Sequence, residues 1–427
     1  MEDFEAKSLL VLGRQPALGL AELESLYGAE HIKPLPGFAL LDIPAEEINF
    51  KRLGGTIKVA RLLTSMQTSS WSQAYKYLTE NIPAHLVHLP KGTFTLGVSV
   101  YGLDVNVRKL SADLLGLKKI IKSSGRSVRI VPNKSLELNS AQVLHNKLTY
   151  LGAWELLLLR DGNRTLLAQT LFVQDIEAYA ARDQARPSRD ARVGMLPPKL
   201  AQILINLSYA QVEKKAERSK EKVNSNLPTP YSLLPTPAKG LRLLDPFCGT
   251  GVILQEALLM DYHVIGTDLD PRMVEYAQKN IQWLVAKYPN IEGQVVIEQA
   301  DATSYQWPRF SAVASEVYLG RPLNSLPDSE KLRKIVKDVN TIVKKFLKNL
   351  APQLRHGQKV VLAVPAWKNV RGETFHKLPL LDNLKELGYN RLSFVHFKND
   401  KLLYYREDQI VARDHGGGYA TAAAKAT

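Results

Sequence analysis

The pattern of hydrophobic and polar positions divides the chain into three stretches. In the first third, the apolar runs "SLLVLGR" and "FALLDIP" predict strands, and "LGLAELESLYG" between them predicts an amphipathic helix that ends at Gly28. The next segment repeats this style, with predicted strands at "TFTLGVSVYG" and "SVRIVP" and two more on either side of a turn at Asp161-Gly162. Both segments therefore predict small α+β domains of the split βαβ type.

Two long segments have the apolar periodicity of helices. In "VRKLSADLLGLKKIIKSSG" (107–125), the apolar side is predicted to comprise Leu110, Leu114, Leu115, Ile120 and Ile121. A second helix is predicted from Ser329 to Leu350. Its apolar face comprises Leu332, Ile335, Val336, Val339, Ile342, Val343, Phe346, Leu347 and Leu350. The lysines of this second helix are then expected on its solvent side.

The last stretch alternates strands with helices, which predicts a doubly wound, mostly parallel sheet. A charged, then proline-rich segment at 211–240 precedes it and predicts connecting chain, because proline blocks helices and central strands. Further on, "RLSFVHFKNDKLLYYREDQIVA" (391–412) predicts a hairpin. The small, polar residues at 416–427 are expected to form a disordered tail.

Composition narrows the class of protein. The 427 residues are 45% hydrophobic and 23% charged, an ordinary globular mix. No apolar stretch approaches the ~20 residues of a membrane-spanning helix, so membrane insertion is not expected. Cys248 is the single cysteine, which excludes an internal disulfide and favours a reducing, cytoplasmic setting. One cysteine and scattered histidines also provide no clustered metal ligands, so no metal is expected.

The net charge of +14 favours a polyanionic partner such as RNA. Residues 1–80 carry 8 Lys/Arg and 10 Asp/Glu, whereas residues 81–170 carry 12 and 5. Within this basic stretch, one helix and the strand after it hold a cluster predicted to bind RNA: Lys118, Lys119, Lys122, Arg126 and Arg129. Such a cluster neutralises phosphates without reading the base sequence. The alternative is a solvated helix face.

A strand, a glycine-rich turn and a helix follow one another in "LRLLDPFCGTGVILQEALL" (241–259). Gly249 and Gly251 permit unusual backbone angles and the close approach of a ligand. Position 254 is Leu, so the turn lacks the third glycine of the dinucleotide fingerprint, and no Gly-Lys-Ser/Thr of a phosphate loop follows. Because the turn also lacks Lys and Arg, it suits a cationic nucleoside without phosphates, such as S-adenosylmethionine.

Acidic residues follow the next two predicted strands. Asp268 is placed to accept hydrogen bonds from both hydroxyls of a ribose, and Asp301 is placed to accept one from an adenine amine. Asp270 with Pro271 instead predicts the start of a helix. The predicted donor pocket comprises Asp245, Pro246, Phe247, Gly249, Thr250, Gly251, Asp268, Leu269, Asp301 and Ala302.

The segment "LLDPFCGTGVILQEALL" resembles the methyl-donor motif of class I, S-adenosylmethionine-dependent RNA methyltransferases. Upstream, "RDQARPSRDARVGMLPPKLAQILINLS" (182–208) is similar to the segment before that motif in the THUMP-domain tRNA guanine N2-methyltransferases of archaea and eukaryotes, which act on guanosine 10. Together with "LGGTIKVAR" and "YYREDQIVARD", the likeness covers nearly the whole chain.

This resemblance implies three domains and a tail. A ferredoxin-like domain over 1–85 and a THUMP RNA-binding domain over 86–180, both α+β, precede a class I Rossmann-like α/β methyltransferase domain over 181–415 and the tail at 416–427. S-adenosylmethionine is the implied cofactor, and tRNA is the implied partner, bound at its acceptor end by the THUMP domain. We expect a monomer. The modified position, the number of methyl groups added and the need for an activating subunit stay open.

The catalytic stretch of this family reads Asp-Pro-Pro-Tyr-Gly or Asn-Pro-Pro-Tyr, and here it is altered to "VASEVYLGRP" (313–322). In the family, a carboxylate and a backbone carbonyl accept the amine N–H bonds, and an aromatic ring stacks on the flipped base. Aligned without a gap, Glu316 takes the place of the acid and Leu319 that of the stacking residue. Alternatively, Tyr318 matches the tyrosine and Ser315 replaces the acid. The first alignment keeps Gly320, so Glu316 and Tyr318 are the predicted catalytic residues.

Other functions stay open beside this one. The chain is alternatively a tRNA-binding protein that does not methylate an amine, or an RNA methyltransferase with a different base specificity. Thiolation of tRNA, which also involves THUMP domains, fits less well because the chain has no ATP-binding Ser-Gly-Gly-type loop. Cys248 has no base beside it in the turn, so it is predicted to pack beneath the cofactor rather than to act as a nucleophile.

Overall fold

The computed structural model of the protein describes residues 4–190, 196–208, 240–320, 328–368, 375–396, 411–412 and 417–426. The chain forms two compact units. The first comprises Met1–Gly13, Glu30–Lys51 and Thr56–Ala178, and the second comprises Arg14–Ala29, Arg52–Gly55 and Tyr179–Thr427. The chain enters the second unit for the last time at Tyr179, next to the domain boundary predicted at residue 180.

The first unit is built on an eight-stranded sheet with the order β2-β3-β1-β4-β8-β7-β5-β6. Its strands are β1 (Ser8–Leu12), β2 (Ile32–Leu35), β3 (Phe38–Leu41), β4 (Thr56–Met66), β5 (Phe94–Tyr101), β6 (Val128–Ile130), β7 (Ala153–Asp161) and β8 (Arg164–Val173). The pairs of β5 with β6 and with β7 are parallel, and the others are antiparallel. The β7–β8 hairpin turns at Asp161-Gly162, as predicted.

This single sheet differs from the two separate small domains predicted at 1–85 and 86–180. Strand β4 comes from the first predicted domain and β8 from the second, and the two pair antiparallel from Lys58 to Met66. The pairing removes two exposed strand edges, each of which would otherwise present unpaired backbone groups. The bound at residue 85 is therefore not a break between compact units, and the THUMP assignment stays a prediction.

The second unit is built on a nine-stranded sheet whose main path is β11-β10-β9-β12-β13-β17-β15, with β14 paired to β13 and β16 paired to β17. Its strands are β9 (Arg242–Asp245), β10 (His263–Asp268), β11 (Val295–Gln299), β12 (Ala312–Glu316), β13 (Lys359–Lys368), β14 (Phe375–His376), β15 (Tyr389–Arg391), β16 (Val411–Ala412) and β17 (Gly417–Ala426). The five strands from β11 to β13 are mutually parallel. The predicted α/β fold with a mostly parallel sheet is confirmed.

The prediction of a disordered tail at 416–427 is wrong for Gly417–Ala426. These residues form β17, which pairs antiparallel with β13 at nine positions and also with β15. A strand pairs through its backbone N–H and C=O groups whatever its side chains are, and β17 pairs with the edge of β13 that faces away from β12. The predicted hairpin at 391–412 and the connecting chain at 211–240 lie largely outside the described residues.

The helices of the described residues are α1 (Pro16–Tyr27), α2 (Trp71–His85), α3 (Val107–Ser123), α4 (Ser140–His145), α5 (Ile176–Gln184), α6 (Pro198–Ser208), α7 (Val252–Leu259), α8 (Pro271–Lys287) and α9 (Ser329–Leu350). Helix α9 has the predicted bounds. In α3, the prediction was wrong for two residues, because Leu115 and Ile120 are exposed. The buried side is formed by Leu110, Leu114, Leu117 and Ile121, whose spacing of four and three residues follows one face of a helix.

A buried carboxylate joins three parts of the second unit. Glu22 of α1 accepts hydrogen bonds from the backbone N–H groups of Gly54 and Gly55, at 2.9 and 2.8 Å, and from Asn206 Nδ2 of α6 at 2.7 Å. Asn206 Oδ1 in turn accepts from Arg52 Nε at 2.7 Å. Burial raises the pKa of Glu22 to about 7, although these donors and Arg52 oppose the shift. Two short segments from early in the chain are thereby built into the second unit.

The core of the first unit contains a buried ion pair between Lys58 of β4 and Glu155 of β7. Lys58 Nζ also donates to the carbonyl of Leu138 at 2.7 Å, and Glu155 accepts from the hydroxyls of Ser99 and Thr170, each at 2.7 Å. Hydrogen bonds of this kind offset part of the cost of removing two charges from water. The pair links strands from both predicted small domains.

Lys58→Met is expected to lower the free energy of unfolding of the first unit by roughly 3 kcal/mol, because it leaves the Glu155 charge buried without its cation. Arg61→Met is the matched control on the same strand, since Arg61 pairs with Glu46 at an exposed position. Such surface pairs contribute about 1 kcal/mol or less. Urea unfolding of both variants measures the difference, and equal small losses would contradict a structural role for the buried pair.

Candidate active site

A cavity of about 870 Å³ opens at the carboxyl ends of the parallel strands in the second unit. It is lined by the turn after β9, the end of β10, and the residues that follow β10 and β11. The end of β12 with residues 317–320 and one side of α9 complete the wall. The strand order reverses between β9 and β12, since β10 lies on one side of β9 and β12 on the other. Ligands of open α/β sheets bind at such a reversal.

Nearly all of the residues predicted to bind the methyl-donor cofactor lie together in the wall of this cavity. Those that line it are Asp245, Pro246, Phe247, Gly249, Thr250, Asp268, Leu269, Asp301 and Ala302. Gly251 is not part of the wall. It begins α7 as the N-cap in the left-handed conformation, with φ 82°. Gly251 therefore shapes the turn and the start of α7, and it does not contact the cavity.

The glycine turn is held in place by backbone hydrogen bonds on both sides. Gly251 N donates to the carbonyl of Cys248 at 2.7 Å, and Cys248 N donates to the carbonyl of Thr267 at 2.9 Å. A Cβ atom at Gly251 would lie 3.2 Å from the Cβ of Ala277, so both its backbone angle and its surroundings favour glycine. Gly249 also has a positive φ, of 50°, and a Cβ there would meet no protein atom within 4 Å. The turn thus leaves open space at the cavity wall.

Asp268 connects the turn to the end of β10. Its Oδ2 accepts from Gly249 N at 2.9 Å, and its Oδ1 accepts from Asp270 N at 3.0 Å. Burial raises the pKa of Asp268 despite these two donors. Asp270 Oδ1 accepts from Arg272 N at 2.9 Å and caps α8, which begins at Pro271 as predicted.

Asp245 lies beneath the cavity, 2% exposed. Ser315 Oγ donates to its Oδ1 at 2.5 Å, and Phe247 N donates to the same atom at 3.3 Å. Burial raises the pKa of Asp245 to about 7, and the nearby charges of Asp268 and Glu316 add to this effect. At neutral pH a substantial fraction of this carboxyl group is therefore protonated.

The stretch after β12 forms the opposite wall. Glu316 is the last residue of β12, and Val317 N donates to the carbonyl of Ala363 in β13 at 3.0 Å. Tyr318 is 40% exposed, and Glu316 and Tyr318 both line the cavity. Ser315, the acid position of the alternative alignment, is fully buried and donates to Asp245. Only in the first alignment does the acidic position face the cavity.

Two buried polar residues near the turn were missed in the sequence. Asn280 of α8 donates through Nδ2 to the carbonyls of Ser188 and Thr250, at 2.9 and 2.8 Å, and its Oδ1 accepts from Ser188 N at 2.9 Å. Arg186 Nη1 donates to Thr250 Oγ1 at 3.2 Å. In the sequence, Asn280 is a polar residue on the otherwise apolar side of α8, and this could have indicated a buried hydrogen-bonding role. Asn280 and Arg186 connect the segment similar to the family's upstream motif to the donor turn.

Helix α9 also contributes to the cavity, which was not predicted. Thr341, Ile342 and Lys345 line its wall. Lys345 had been assigned only to the solvent side of the helix. Gly320 lies against the same helix, because a Cβ atom there would be 3.3 Å from Ile335 Cγ2 and 3.4 Å from Val339 Cγ2.

Cys248 is buried in the turn, and burial raises the pKa of its thiol well above the usual value. A thiol in this state is a poor nucleophile, in keeping with the predicted packing role. Among the described residues, no group of His, Cys, Asp and Glu is arranged to hold a metal ion. None of the helices in the described ranges is long and apolar enough to cross a membrane.

The basic cluster predicted to bind RNA lies in the first unit, on α3, β6 and the turn between them. Lys119, Lys122 and Arg129 are exposed, whereas Lys118 and Arg126 are partly buried. Arg129 donates to Asn146 Oδ1 at 2.8 Å, and Arg126 donates to a backbone carbonyl. RNA binding by this cluster stays a prediction.

Comparison with known proteins bears on the second unit. Residues 237–359 match the family model described as a methyltransferase domain. The α/β methyltransferase fold is thereby confirmed for this part of the chain. The curated tRNA (guanine(10)-N2)-dimethyltransferase of Methanothermobacter thermautotrophicus is 35% identical over 123 residues, which are 28% of this chain and 28% of that protein. The chain thus spans little more than a quarter of the length of this relative.

Two solved structures are among the matches to this chain. TrmN from Thermus thermophilus has a TM-score of 0.47 at 15% identity, covering 98% of this chain and 99% of that chain. A SAM-dependent methyltransferase from Thiobacillus denitrificans, in complex with S-adenosyl-L-homocysteine, has a TM-score of 0.29 at 17% identity, covering 44% of this chain and 86% of that chain.

Asp245→Asn is expected to become more stable relative to the wild type as the pH rises from about 5 to about 8. The pKa of Asp245 is about 7 in the folded protein and about 4 in the unfolded chain. The folded wild type therefore holds the extra proton between these values, and its free energy of unfolding falls as the pH rises through this interval. The asparagine keeps an oxygen that accepts from Ser315 and has no carboxyl proton to lose.

Urea unfolding of both proteins at several pH values tests this expectation. Asp382→Asn, at an exposed position, is the control and should follow the wild type. A stability difference between Asp245→Asn and the wild type that does not vary with pH would show that the folded-state pKa of Asp245 is not raised.

Proposed function

We propose that the protein is an S-adenosylmethionine-dependent tRNA methyltransferase that acts on the N2 amine of a guanosine. One observation carries this proposal: the glycine turn, Asp268, Asp301 and Glu316 all line one cavity. A donor pocket and an acceptor for a target amine are therefore adjacent. The match of residues 237–359 to a methyltransferase domain supports the reaction type, and the partial relative supports tRNA guanine as the substrate.

The cavity fits this cofactor in size and in charge. Its volume of about 870 Å³ lies within the roughly 300–1,000 Å³ of small-molecule sites. Among the described residues, the carboxylates that line it outnumber the cations: Asp245, Asp268, Asp270, Asp301 and Glu316 against Arg272 and Lys345. Such a wall favours a cation and disfavours the phosphates of a dinucleotide. When bound, S-adenosylmethionine supplies a methyl group on a positively charged sulfur.

The residues of the pocket have separate tasks in this proposal. Asp268 Oδ1 and Oδ2 each accept one backbone N–H, and a carboxylate oxygen has capacity for a further hydrogen bond from a ribose hydroxyl. Asp301 is exposed on the cavity wall and is proposed to accept a hydrogen bond from the adenine amine. Leu269 is 66% exposed beside it and provides an apolar surface for the base.

Glu316 and Tyr318 are proposed to bind the target base. The amine of guanine is a weak nucleophile because its lone pair is delocalised into the ring. The Glu316 carboxylate accepts an amine N–H and thereby orients the nitrogen, and the Tyr318 ring stacks on the flipped base. When the nitrogen takes the methyl group, the carbon–sulfur bond of the sulfonium would break and release the neutral thioether. Glu316 would stabilise the positive charge that develops on the nitrogen and would then accept the amine proton. Correct orientation is the main contribution of these residues.

The remaining assignments are proposals with narrower support. The α3 cluster is proposed to bind tRNA through its phosphates, supported by its exposed cations, and the single cysteine supports a cytoplasmic setting. A monomer remains the expected state. A tRNA-binding protein that lacks amine methylation is the second candidate function, favoured by Leu319 in the place of the stacking tyrosine.

Asp268→Asn is expected to weaken binding of S-adenosylmethionine by roughly 10- to 100-fold, because a charged acceptor of the ribose hydroxyls becomes neutral. Isothermal titration calorimetry of the wild type and the variant measures this loss. Asp382→Asn, an exposed carboxylate in the same unit, should bind the cofactor like the wild type. Absence of binding by the folded wild type would refute the enzymatic proposal.

Glu316→Ala is expected to reduce methylation of tRNA at least about 100-fold, because the target amine loses its acceptor. The protein is incubated with tRNA and labelled cofactor, and the modified nucleoside is identified by mass spectrometry. The wild type should produce N2-methylguanosine. Glu386→Ala removes an exposed carboxylate and should leave the rate unchanged.

The outcomes of this experiment separate the candidate functions. Equal product from the wild type and Glu316→Ala would remove Glu316 from catalysis. A different methylated nucleoside would reassign the base. Binding of both cofactor and tRNA without any product would favour the non-methylating tRNA-binding protein.

A further inference from the structure

The outer face of α9 carries a concentration of positive charge. The helix contains seven Lys or Arg and two Asp or Glu, a net charge of +5. All seven cations are exposed: Lys331, Arg333, Lys334, Lys337, Lys344, Lys345 and Lys348. Within the described ranges, none of them forms an ion pair. Their charge is therefore available to an anionic partner.

The opposite face of α9 fixes the direction of these cations. Leu332, Val339, Val343, Phe346 and Leu350 are buried in the core of the second unit. Helical periodicity then directs the positions between them outward. Because the apolar face packs in the core, the cationic face of α9 is directed toward solvent.

The cations are arranged in rows along the helix axis. Arg333, Lys337, Lys344 and Lys348 follow one another at intervals of four, seven and four residues, which keeps them on one side of a helix. At 1.5 Å per residue, the row extends over roughly 22 Å. Lys334 and Lys345 form a neighbouring row. Several consecutive phosphates of a nucleic-acid strand can contact a row of this length.

This face adjoins the candidate active site. Lys345 and Thr341 line the cavity itself, and Gly320 of the catalytic stretch packs against the apolar side of the same helix. The row from Arg333 to Lys348 runs along the helix just outside the cavity wall. A strand that inserts one base into the cavity would therefore have its backbone close to α9.

The signs of charge on the two sides of the cavity wall are opposite. In the part of the chain that the structure describes, five carboxylates and two cations, Arg272 and Lys345, line the interior, and this excess of acidic groups favours a cation over phosphate. The outer face of α9 has the charge that a phosphodiester backbone requires. The contrast excludes the backbone from the cavity and attracts it to the rim.

We propose that the outer face of α9 binds the phosphodiester backbone of RNA beside the target nucleotide. This inference takes from the proposed function only that the substrate is RNA. It adds to the α3 cluster a second RNA contact, located in the unit that holds the cavity. The contact carries no base readout, because lysine and arginine meet phosphates without regard to sequence.

An anionic membrane surface is the other partner that a basic, amphipathic helix can bind. Such helices bury their apolar face among lipid tails. The apolar face of α9 is already buried in the protein core, so only its charges could contact a membrane. The geometry thus favours RNA.

A triple variant tests the proposal: Lys337→Gln, Lys344→Gln and Lys348→Gln. These residues do not line the cavity. The matched control is Lys287→Gln, Lys377→Gln and Lys385→Gln, which removes the same charge from exposed positions elsewhere in the second unit. Fluorescence anisotropy with labelled, unfractionated tRNA is measured over a series of salt concentrations. Thermal unfolding and calorimetry with S-adenosylmethionine are measured in parallel.

The α9 variant is expected to bind tRNA at least about tenfold more weakly than the wild type, and its slope of log affinity against log salt should be smaller by about 2 to 3. The control variant should keep the wild-type slope. Equal slopes for the two variants would overturn the proposal, as would tight binding to vesicles of anionic phospholipid without a response to tRNA.

The calorimetry separates this inference from the proposed function. If the wild type fails to bind S-adenosylmethionine while the α9 variant loses tRNA affinity, the methyltransferase proposal fails and the α9 surface stands. If cofactor binding is normal and the α9 variant binds tRNA like the control, the α9 surface fails alone.

Discussion

The hydrogen bond from Ser315 to Asp245 is the interaction on which the candidate site depends. It joins the end of β12 to the end of β9, the two strands between which the sheet reverses its order. This contact fixes Ser315, and with it the neighbouring Glu316 at the cavity wall, relative to the end of β9. The donor side and the acceptor side of the cavity are thereby set in register by one buried contact.

Electrostatics in the cavity follow from the same arrangement. Burial raises the pKa of Asp245, and the nearby charges of Asp268 and Glu316 add to that shift. Burial also raises the pKa of Asp268. A cationic ligand relieves the repulsion between these charges, whereas an anionic ligand increases it. In the proposed function, the positive outer face of α9 and the acidic interior would separate a nucleoside cofactor from a polyanionic substrate.

The sequence was informative wherever a feature depends on neighbouring residues. Helix α9 was predicted with its observed bounds because its apolar positions repeat over six turns. The strand, glycine turn and helix at 241–259 were predicted because they are contiguous in the sequence. Long-range features were not accessible in this way. The pairing of β4 with β8, the partner of β17 and the hydrogen bonds of Asn280 each join residues distant in sequence. Leu115 and Ile120 were misassigned because a helix with many apolar residues permits more than one apolar side.

The incorporation of α1 and Arg52–Gly55 into the second unit has a consequence for synthesis of the chain. Glu22 and Arg52 leave the ribosome more than 150 residues before Asn206, their hydrogen-bonding partner in α6. During that interval the contacts of α1 with α6 cannot form, and contacts of such large sequence separation form slowly. The second unit therefore cannot complete its folding until α6 has been synthesised, although α1 belongs to it. The order of synthesis and the order of folding therefore differ for this protein, because α1 and Arg52–Gly55 complete their contacts only after α6 has been made.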